Sequence, residues 1–165
     1  MNKPVLQVED EAHDVLFLQF AFEQVGVIHP LLVARDGREA ISYLQGLGMF
    51  ANREQFPLPG LVLLDLRLPQ VPGLHVLKWI RQQPAFVKLP VIVLSSSDQD
   101  SDVEAAYRLG ANAYVVKPLN MADRIQLVRR LKQYWLDMDA PPPDCKDWLS
   151  LTLSPPRMGQ RSANL

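Results

Sequence analysis

The sequence predicts an α/β domain built on a doubly wound parallel sheet, and three observations carry that prediction. Five short apolar runs alternate with five stretches of helical periodicity. The runs at 61–64 and 91–94 contain no polar residue, as expected of strands buried on both faces. Glycine or proline punctuates most of the junctions.

The elements follow in order. Pro4-Val5-Leu6-Gln7-Val8 is the first strand, stopping at Glu9-Asp10-Glu11, and Gln7 is out of place in it. From His13, the residues Val15, Leu18, Phe22 and Val25 recur at helical spacing until Gly26 closes the pattern. Phe17 and Phe20 fall off that stripe, and either widen the core face or mark a contact surface. Leu31–Ala34 is the second strand, followed by a turn at Arg35-Asp36-Gly37. Glu39–Leu47 reads as a helix carrying Ala40, Ile41, Leu44 and Leu47, and residues 48–60 read as a loop longer than usual.

The third strand, Leu61–Leu64, delivers Asp65 to its carboxyl end. Leu68-Pro69 and Pro72-Gly73 then break the chain before a helix over 74–83. Pro90–Leu94 is the fourth strand, ending at Ser95-Ser96-Ser97-Asp98, and the helix over 100–109 is closed by Gly110. Ala113–Val116 is the fifth strand and runs into Lys117-Pro118. The last helix, 122–136, has a broad apolar face that includes Tyr134 and Trp135. Right-handed crossovers and five units select the flavodoxin-like (βα)5 fold with strand order 2-1-3-4-5. Residues 1–136 form this domain. Residues 137–165, with Pro141-Pro142-Pro143, form a proline-rich tail too short for a domain of its own.

Composition narrows the function classes. Apolar residues make up 48 % of the chain and the net charge is −1, which argues against broad attraction to nucleic acid or membrane. The single cysteine, Cys145, excludes an internal disulfide framework, and no run reaches the length of a membrane span. These features predict a cytoplasmic protein.

Taken alone, an aspartate after a strand reads first as a loop cap. The predicted strand order changes that reading, because Glu9, Asp10, Asp65, Ser95 and Lys117 all fall at carboxyl ends of strands, on one rim. Crowded acids repel unless a cation neutralises them, and a hard divalent ion such as Mg²⁺ suits such oxygen ligands. A lysine and a hydroxyl on the same rim supply donors for anionic oxygens. Together these groups describe a site for phosphoryl transfer to an aspartate.

Four motifs carry a family resemblance: Val8-Glu9-Asp10; Leu63-Leu64-Asp65-Leu66-Arg67-Leu68-Pro69 with Pro72-Gly73; Leu94-Ser95; and the run from Gly110 to Pro118. In their order and spacing the sequence resembles the receiver domains of two-component response regulators over residues 3–136. The resemblance implies a single-domain response regulator whose Asp65 accepts a phosphoryl group from a sensor histidine kinase. Asp10, Asp65 and the backbone carbonyl of Arg67 would hold Mg²⁺, with Glu9 acting through water. Ser95 and Lys117 would contact the phosphoryl oxygens, and Tyr114 would be the switch aromatic. A cis Lys117–Pro118 peptide is also implied.

Arg67 departs from the small or polar residue often found two positions after the acceptor, and is expected to alter the lifetime of the phosphorylated state. The long loop, Trp135 and the proline-rich tail resemble the small receivers that partner phytochrome-type kinases. That narrower resemblance implies a bacteriophytochrome partner and a homodimer through the fourth helix, fifth strand and fifth helix. Two other readings compete. An aspartyl phosphatase would need a carboxylate where Arg67 stands, so an enzyme is not expected. A dimeric adaptor that works without phosphorylation would not need so complete a site.

Overall fold

The computed structural model describes residues 2–137; the proline-rich tail, apart from Asp137, lies outside the described residues. Strands β1 (Val5–Val8), β2 (Leu31–Ala34), β3 (Leu61–Leu64), β4 (Val91–Ser95) and β5 (Ala113–Val116) form one sheet in the order β2-β1-β3-β4-β5. Every pairing is parallel, as the alternation of strands and helices requires. The helices are α1 (Ala12–Val25), α2 (Gly37–Gln45), α3 (Gly73–Gln82), α4 (Asp100–Arg108) and α5 (Met121–Leu131), the last running into a π-helical turn at Lys132–Leu136.

Period-2 alternation divides the core between the two faces of the sheet. Leu6, Val8, Val62, Leu64, Val91 and Val93 pack with Ala40, Leu44, Val76, Ile80 and Ala106, which places α2, α3 and α4 on one face. Val5, Leu61, Leu63, Ile92, Leu94 and Val115 pack with Leu18, Phe22, Leu127, Val128 and Leu131, which places α1 and α5 on the other. Each fully buried Leu, Ile or Val of this kind contributes about 1.5–3 kcal/mol of burial free energy. The same alternation sorts the residues just past the strands. Glu9, Asp65 and Lys117 continue the face covered by α1 and α5, whereas Ser95 and Tyr114 belong to the face covered by α4.

Several boundaries differ from the sequence reading, each for a local reason. The helix expected from Glu39 starts at Gly37, because Asp36 accepts from Glu39 N at 2.7 Å and the Glu39 carboxylate accepts from Arg35 N at 2.6 Å. Leu47 is 54 % exposed, beyond the end of α2 at Gly46. The expected loop contains a 3₁₀ turn at Gly48–Ala51. It is tied down by Arg53, which donates to the carbonyls of Tyr43 and Leu44, each at 2.7 Å, and so satisfies the end of α2. Trp135 is buried in the same core cluster as Leu131. No peptide bond among the described residues is cis, so the implied cis Lys117–Pro118 bond is not found. Even before proline, the trans form is favoured by about 0.5–1 kcal/mol.

Candidate functional site

The carboxyl rim of the sheet is assembled by backbone hydrogen bonds that extend the ladders one residue further. Glu9 N donates to Ala34 O, Asp65 N to Val8 O, and Lys117 N to Ser95 O, at 2.9, 3.1 and 2.8 Å. Glu9 and Asp65 are thereby held side by side at the ends of the neighbouring strands β1 and β3, and Lys117 is held on the same face at the end of β5, across β4 from β3. Gly73 makes the close turn after β3 possible, since a Cβ there would collide with the Asp65 carbonyl oxygen and lie 2.7 Å from Leu66 Cα.

At the centre is the Lys117 ammonium. It donates to Asp65 Oδ2 at 2.7 Å, Glu9 Oε2 at 2.6 Å and Asp14 Oδ2 at 2.9 Å. Its three N–H groups thus have three carboxylate partners. The second oxygen of Asp65 accepts from Arg67 N at 3.1 Å, and the second oxygen of Glu9 accepts from Glu11 N at 3.1 Å. Burial would push the Lys117 pKa down, but its bonds to Asp65, Glu9 and Asp14 outweigh burial and hold it above the ordinary lysine value. Burial pushes Glu9 the other way, up to about 7, against the lowering pull of Lys117. For Asp14, burial is outweighed by hydrogen bonds from Lys117 and Arg124, which hold its carboxyl below the usual aspartate range.

Oxygens of Glu9, Asp10 and Asp65 lie within 4.8 Å of one another. A set of hard oxygen donors this close suits a hard divalent cation, so the residues present fit a Mg²⁺-type ion. Both Glu9 and Asp65 are nearly fully buried, and their mutual repulsion is relieved here by Lys117.

The raised Glu9 pKa has a measurable consequence in metal-free protein. Between the ordinary value of 4.5 and about 7, the unfolded chain has lost the Glu9 proton and the folded protein keeps it. The folded state then binds more protons, so this group's contribution to stability falls as pH rises through that window. Asp14 is held below its ordinary value of 3.8, so its own contribution is already in place there. Urea melts in EDTA are expected to show the decline, and saturating Mg²⁺ to remove most of it. A flat or rising profile in EDTA contradicts the assignment.

Ser95 and Tyr114 stand on the other side of the rim. Ser95 is fully buried, and its Oγ accepts from Ser97 N at 3.3 Å. Tyr114 is 6 % exposed, and its hydroxyl donates to Ser97 O at 2.9 Å. Asp102, in the first turn of α4, accepts from Ser97 Oγ at 2.5 Å and from Arg67 at 3.3 Å. The structure therefore gathers the predicted Glu9, Asp10, Asp65 and Lys117 into one cluster. Arg67, Ser95 and Tyr114 fall in an adjoining network that runs to α4.

Two residues of the cluster escaped the sequence reading. Asp14 lies in the first turn of α1, and Arg124, in the first turn of α5, donates to Asp14 Oδ1 at 3.0 Å. A usable signal existed for Arg124. A cation in the first turn of a helix opposes the helix dipole, which hints at a specific carboxylate partner. Gln7 also finds a place, lining a cavity of ≈ 20 Å³ with Asp14, Lys117 and Arg124 beneath the rim. Its Oε1 is buried there without a protein hydrogen-bond partner, and the space is enough for one water.

An acidic cluster, a rim lysine and a rim serine on a 2-1-3-4-5 parallel sheet define a receiver-type signalling domain. The chain belongs to the response regulator receiver domain family, whose model matches residues 5–129, and it is a response regulator of the two-component type. It is similar to the response regulator Rcp1 of Synechocystis sp., with 37 % identity over 135 residues, covering 82 % of this chain and 90 % of that protein. The crystal structure of the phosphorylated cyanobacterial phytochrome response regulator RcpA is 36 % identical with a TM-score of 0.76, covering 82 % of this chain and 95 % of that one. The Mn²⁺-bound form of Rcp1 is also 36 % identical, with a TM-score of 0.75, and the match covers 85 % of this chain and 99 % of that one.

Proposed function

We propose that Asp65 is the phosphoryl acceptor, that the ion is Mg²⁺, and that the donor is a phosphohistidine on a phytochrome-type sensor histidine kinase. The observation that carries the reading is the Lys117 ammonium, 2.7 Å from Asp65 and 2.6 Å from Glu9 inside a cluster of three acids. One Asp65 carboxylate oxygen attacks phosphorus as the phosphorus–nitrogen bond to the kinase imidazole breaks. Arg67 N–H orients the carboxylate by its bond to Oδ1. Lys117 offsets negative charge on the transferred group, and the Ser95 hydroxyl donates to a phosphoryl oxygen. Asp10, Asp65 and the Arg67 carbonyl would hold the ion, with Glu9 acting through water, and the ion would neutralise charge on the phosphoryl oxygens when bound.

Ser95 Oγ is tied to the backbone of Ser97, the residue to which the Tyr114 hydroxyl is also bonded, so a shift of Ser95 toward the phosphoryl group is felt at Tyr114. Ser95 and Tyr114 are therefore proposed as the switch that carries the state of Asp65 to α4 and β5. Beryllofluoride with Mg²⁺ is expected to change the tyrosine spectrum or the amide spectrum of β4, α4 and β5 in the wild type and not in Asp65→Asn. Identical responses in the two proteins count against the proposal.

Arg67 is largely exposed at its tip, where it meets Asp102. We assign it to the lifetime of the phosphorylated state, because a guanidinium two residues from Asp65 adds positive charge beside the phosphoryl group and crowds an attacking water. Arg67→Asn is expected to shorten the half-life several-fold, read as loss of phosphorylated protein with time. An unchanged half-life removes the assignment.

The partner and assembly proposals rest on similarity and on surface. RcpA is described as a phytochrome response regulator, and Phe17 and Phe20 are exposed on α1, where a kinase could engage them. Tyr107, Val116 and Leu119 are exposed apolar residues on and beside α4 and β5, which supports pairing of two copies there. Residues 1–136 are proposed as the receiver and 137–165 as an appended tail. Among the described residues no helix is long and apolar enough to cross a membrane, in keeping with a cytoplasmic site of action. Gel filtration of a chain ending at Leu136 bears on both points, and a monomer at high concentration removes the dimer.

A further inference from the structure

We propose that Asp14 and Arg124 are positioning residues that set where the Lys117 ammonium sits, with Phe17 as the outer support of the pair. The inference rests on the reading of Asp65 as acceptor and adds to it residues that lie outside the motifs of the rim. Two of the three carboxylates on Lys117, those of Glu9 and Asp65, belong to the rim itself. The third, Asp14, is brought by α1 and divides its oxygens, Oδ2 to Lys117 and Oδ1 to Arg124. Arg124 in turn donates through Nε to the carbonyl of Pro118 at 2.8 Å. One guanidinium therefore fixes both the main chain next to Lys117 and the carboxylate that holds the tip of its side chain. On its outer side the guanidinium carbon stands 4.9 Å from the centroid of the Phe17 ring, a cation–π distance.

The side chains of Lys117 and Arg124 are only 9 % and 15 % exposed, so solvent screens these contacts weakly. Phosphorylation changes the demand on Lys117. Once an Asp65 oxygen is bonded to phosphorus, the ammonium has to turn one N–H toward a phosphoryl oxygen. Asp14 takes no part in the transfer or in ion binding, so its bond to Lys117 persists and serves as the pivot. Without Asp14 the ammonium is shared between Glu9 and Asp65 alone, and is drawn toward the acids that must be free for the ion and the phosphoryl group. Misplacement of this kind costs rate out of proportion to the distance moved.

The test uses the full chain and two readouts. The first is the side-chain ammonium signal of Lys117 in a ¹⁵N NMR spectrum, assigned by its loss in Lys117→Met. The second is the rate of phosphorylation by acetyl phosphate with Mg²⁺. Asp14→Asn is expected to shift or broaden the ammonium signal and to slow phosphorylation about tenfold or more. Asp14→Glu, which keeps the charge, is expected to recover most of the rate. Arg124→Gln should act in the same direction, and the double variant Asp14→Asn/Arg124→Gln should be no slower than Asp14→Asn alone, because the two residues act through one contact. Should Asp14→Asn fail to fold, Phe17→Ala and Arg124→Gln carry the same test. An unmoved ammonium signal with wild-type rates overturns the proposal. A wild type that takes no phosphoryl group overturns the assignment of Asp65 instead, and the ammonium signal alone then decides whether Asp14 and Arg124 position Lys117.

Discussion

Replacing Lys117 with methionine is expected to give a protein that is stable in mild acid or in Mg²⁺, and strongly destabilised at neutral pH in EDTA. Methionine fills a similar length and removes the ammonium that now meets Glu9, Asp14 and Asp65. Arg124 still serves Asp14, but Glu9 and Asp65 are left buried with no cation. Breaking a buried ion pair on one side typically costs about 3–5 kcal/mol. Glu9 is already held up to about 7 with Lys117 pulling its pKa down. Without that pull it rises further, so folding at neutral pH must take up a proton that the unfolded chain has lost. Acid removes that cost by protonating the unfolded chain as well, and Mg²⁺ removes it by replacing the lost charge. Phosphorylation of Asp65 should fall about a hundredfold or more, since a preorganised charge is lost where charge develops. Urea melts at neutral and mildly acidic pH, with and without Mg²⁺, read the first effect. Equal midpoints for variant and wild type at neutral pH in EDTA contradict the account of the cluster.

Gly73→Ala is expected to be the most damaging single-methyl addition near the site. The new Cβ would run into the Asp65 carbonyl oxygen and lie 2.7 Å from Leu66 Cα. Both are backbone atoms, so no side chain can swing aside to make room. Either α3 moves away from β3 or the main chain carrying Asp65 moves. Overpacking of this kind costs about 1–3 kcal/mol and sometimes more, and the upper end is expected here. Because the displaced atoms include the backbone of Asp65, the proposed acceptor, phosphorylation should slow about tenfold even where the variant still folds. Urea denaturation and the rate with acetyl phosphate read the two effects. Wild-type stability and rate together contradict the close approach.

The fold and the centre of the site were legible for the same reason. Apolar runs such as 61–64 and 91–94, separated by helical periodicity, leave few arrangements of a parallel sheet. Once the order is 2-1-3-4-5, the residue after each strand has a known place on one rim. Glu9, Asp65 and Lys117 could be joined in this way because the strand order puts them on one face of one rim, where a lysine side chain is long enough to cross β4. What was not legible depends on side chains reaching between helices. Asp14 and Arg124 lie 110 positions apart and meet only because α1 and α5 share a face of the sheet. Gln7 looked anomalous because what surrounds it is set by those same two helices, which bring Asp14 and Arg124 to the small cavity that Gln7 lines beside Lys117. Arg53 was hidden for a related reason, since it satisfies the carbonyl end of a helix rather than a periodic core. The exposed Leu47 shows the reverse case, where helical spacing continued past the glycine that ends α2.

The function proposed for the cluster turns on Asp65 being the acceptor. Intact-protein mass spectrometry after incubation with acetyl phosphate and Mg²⁺ is the measurement that tests it. The wild type is expected to gain the mass of a single phosphoryl group, to lose it again with time, and to gain none in EDTA. Asp65→Asn is expected to gain none under any of these conditions. An Asp65→Asn protein that takes up phosphoryl as the wild type does, or a wild type that takes up none, contradicts it.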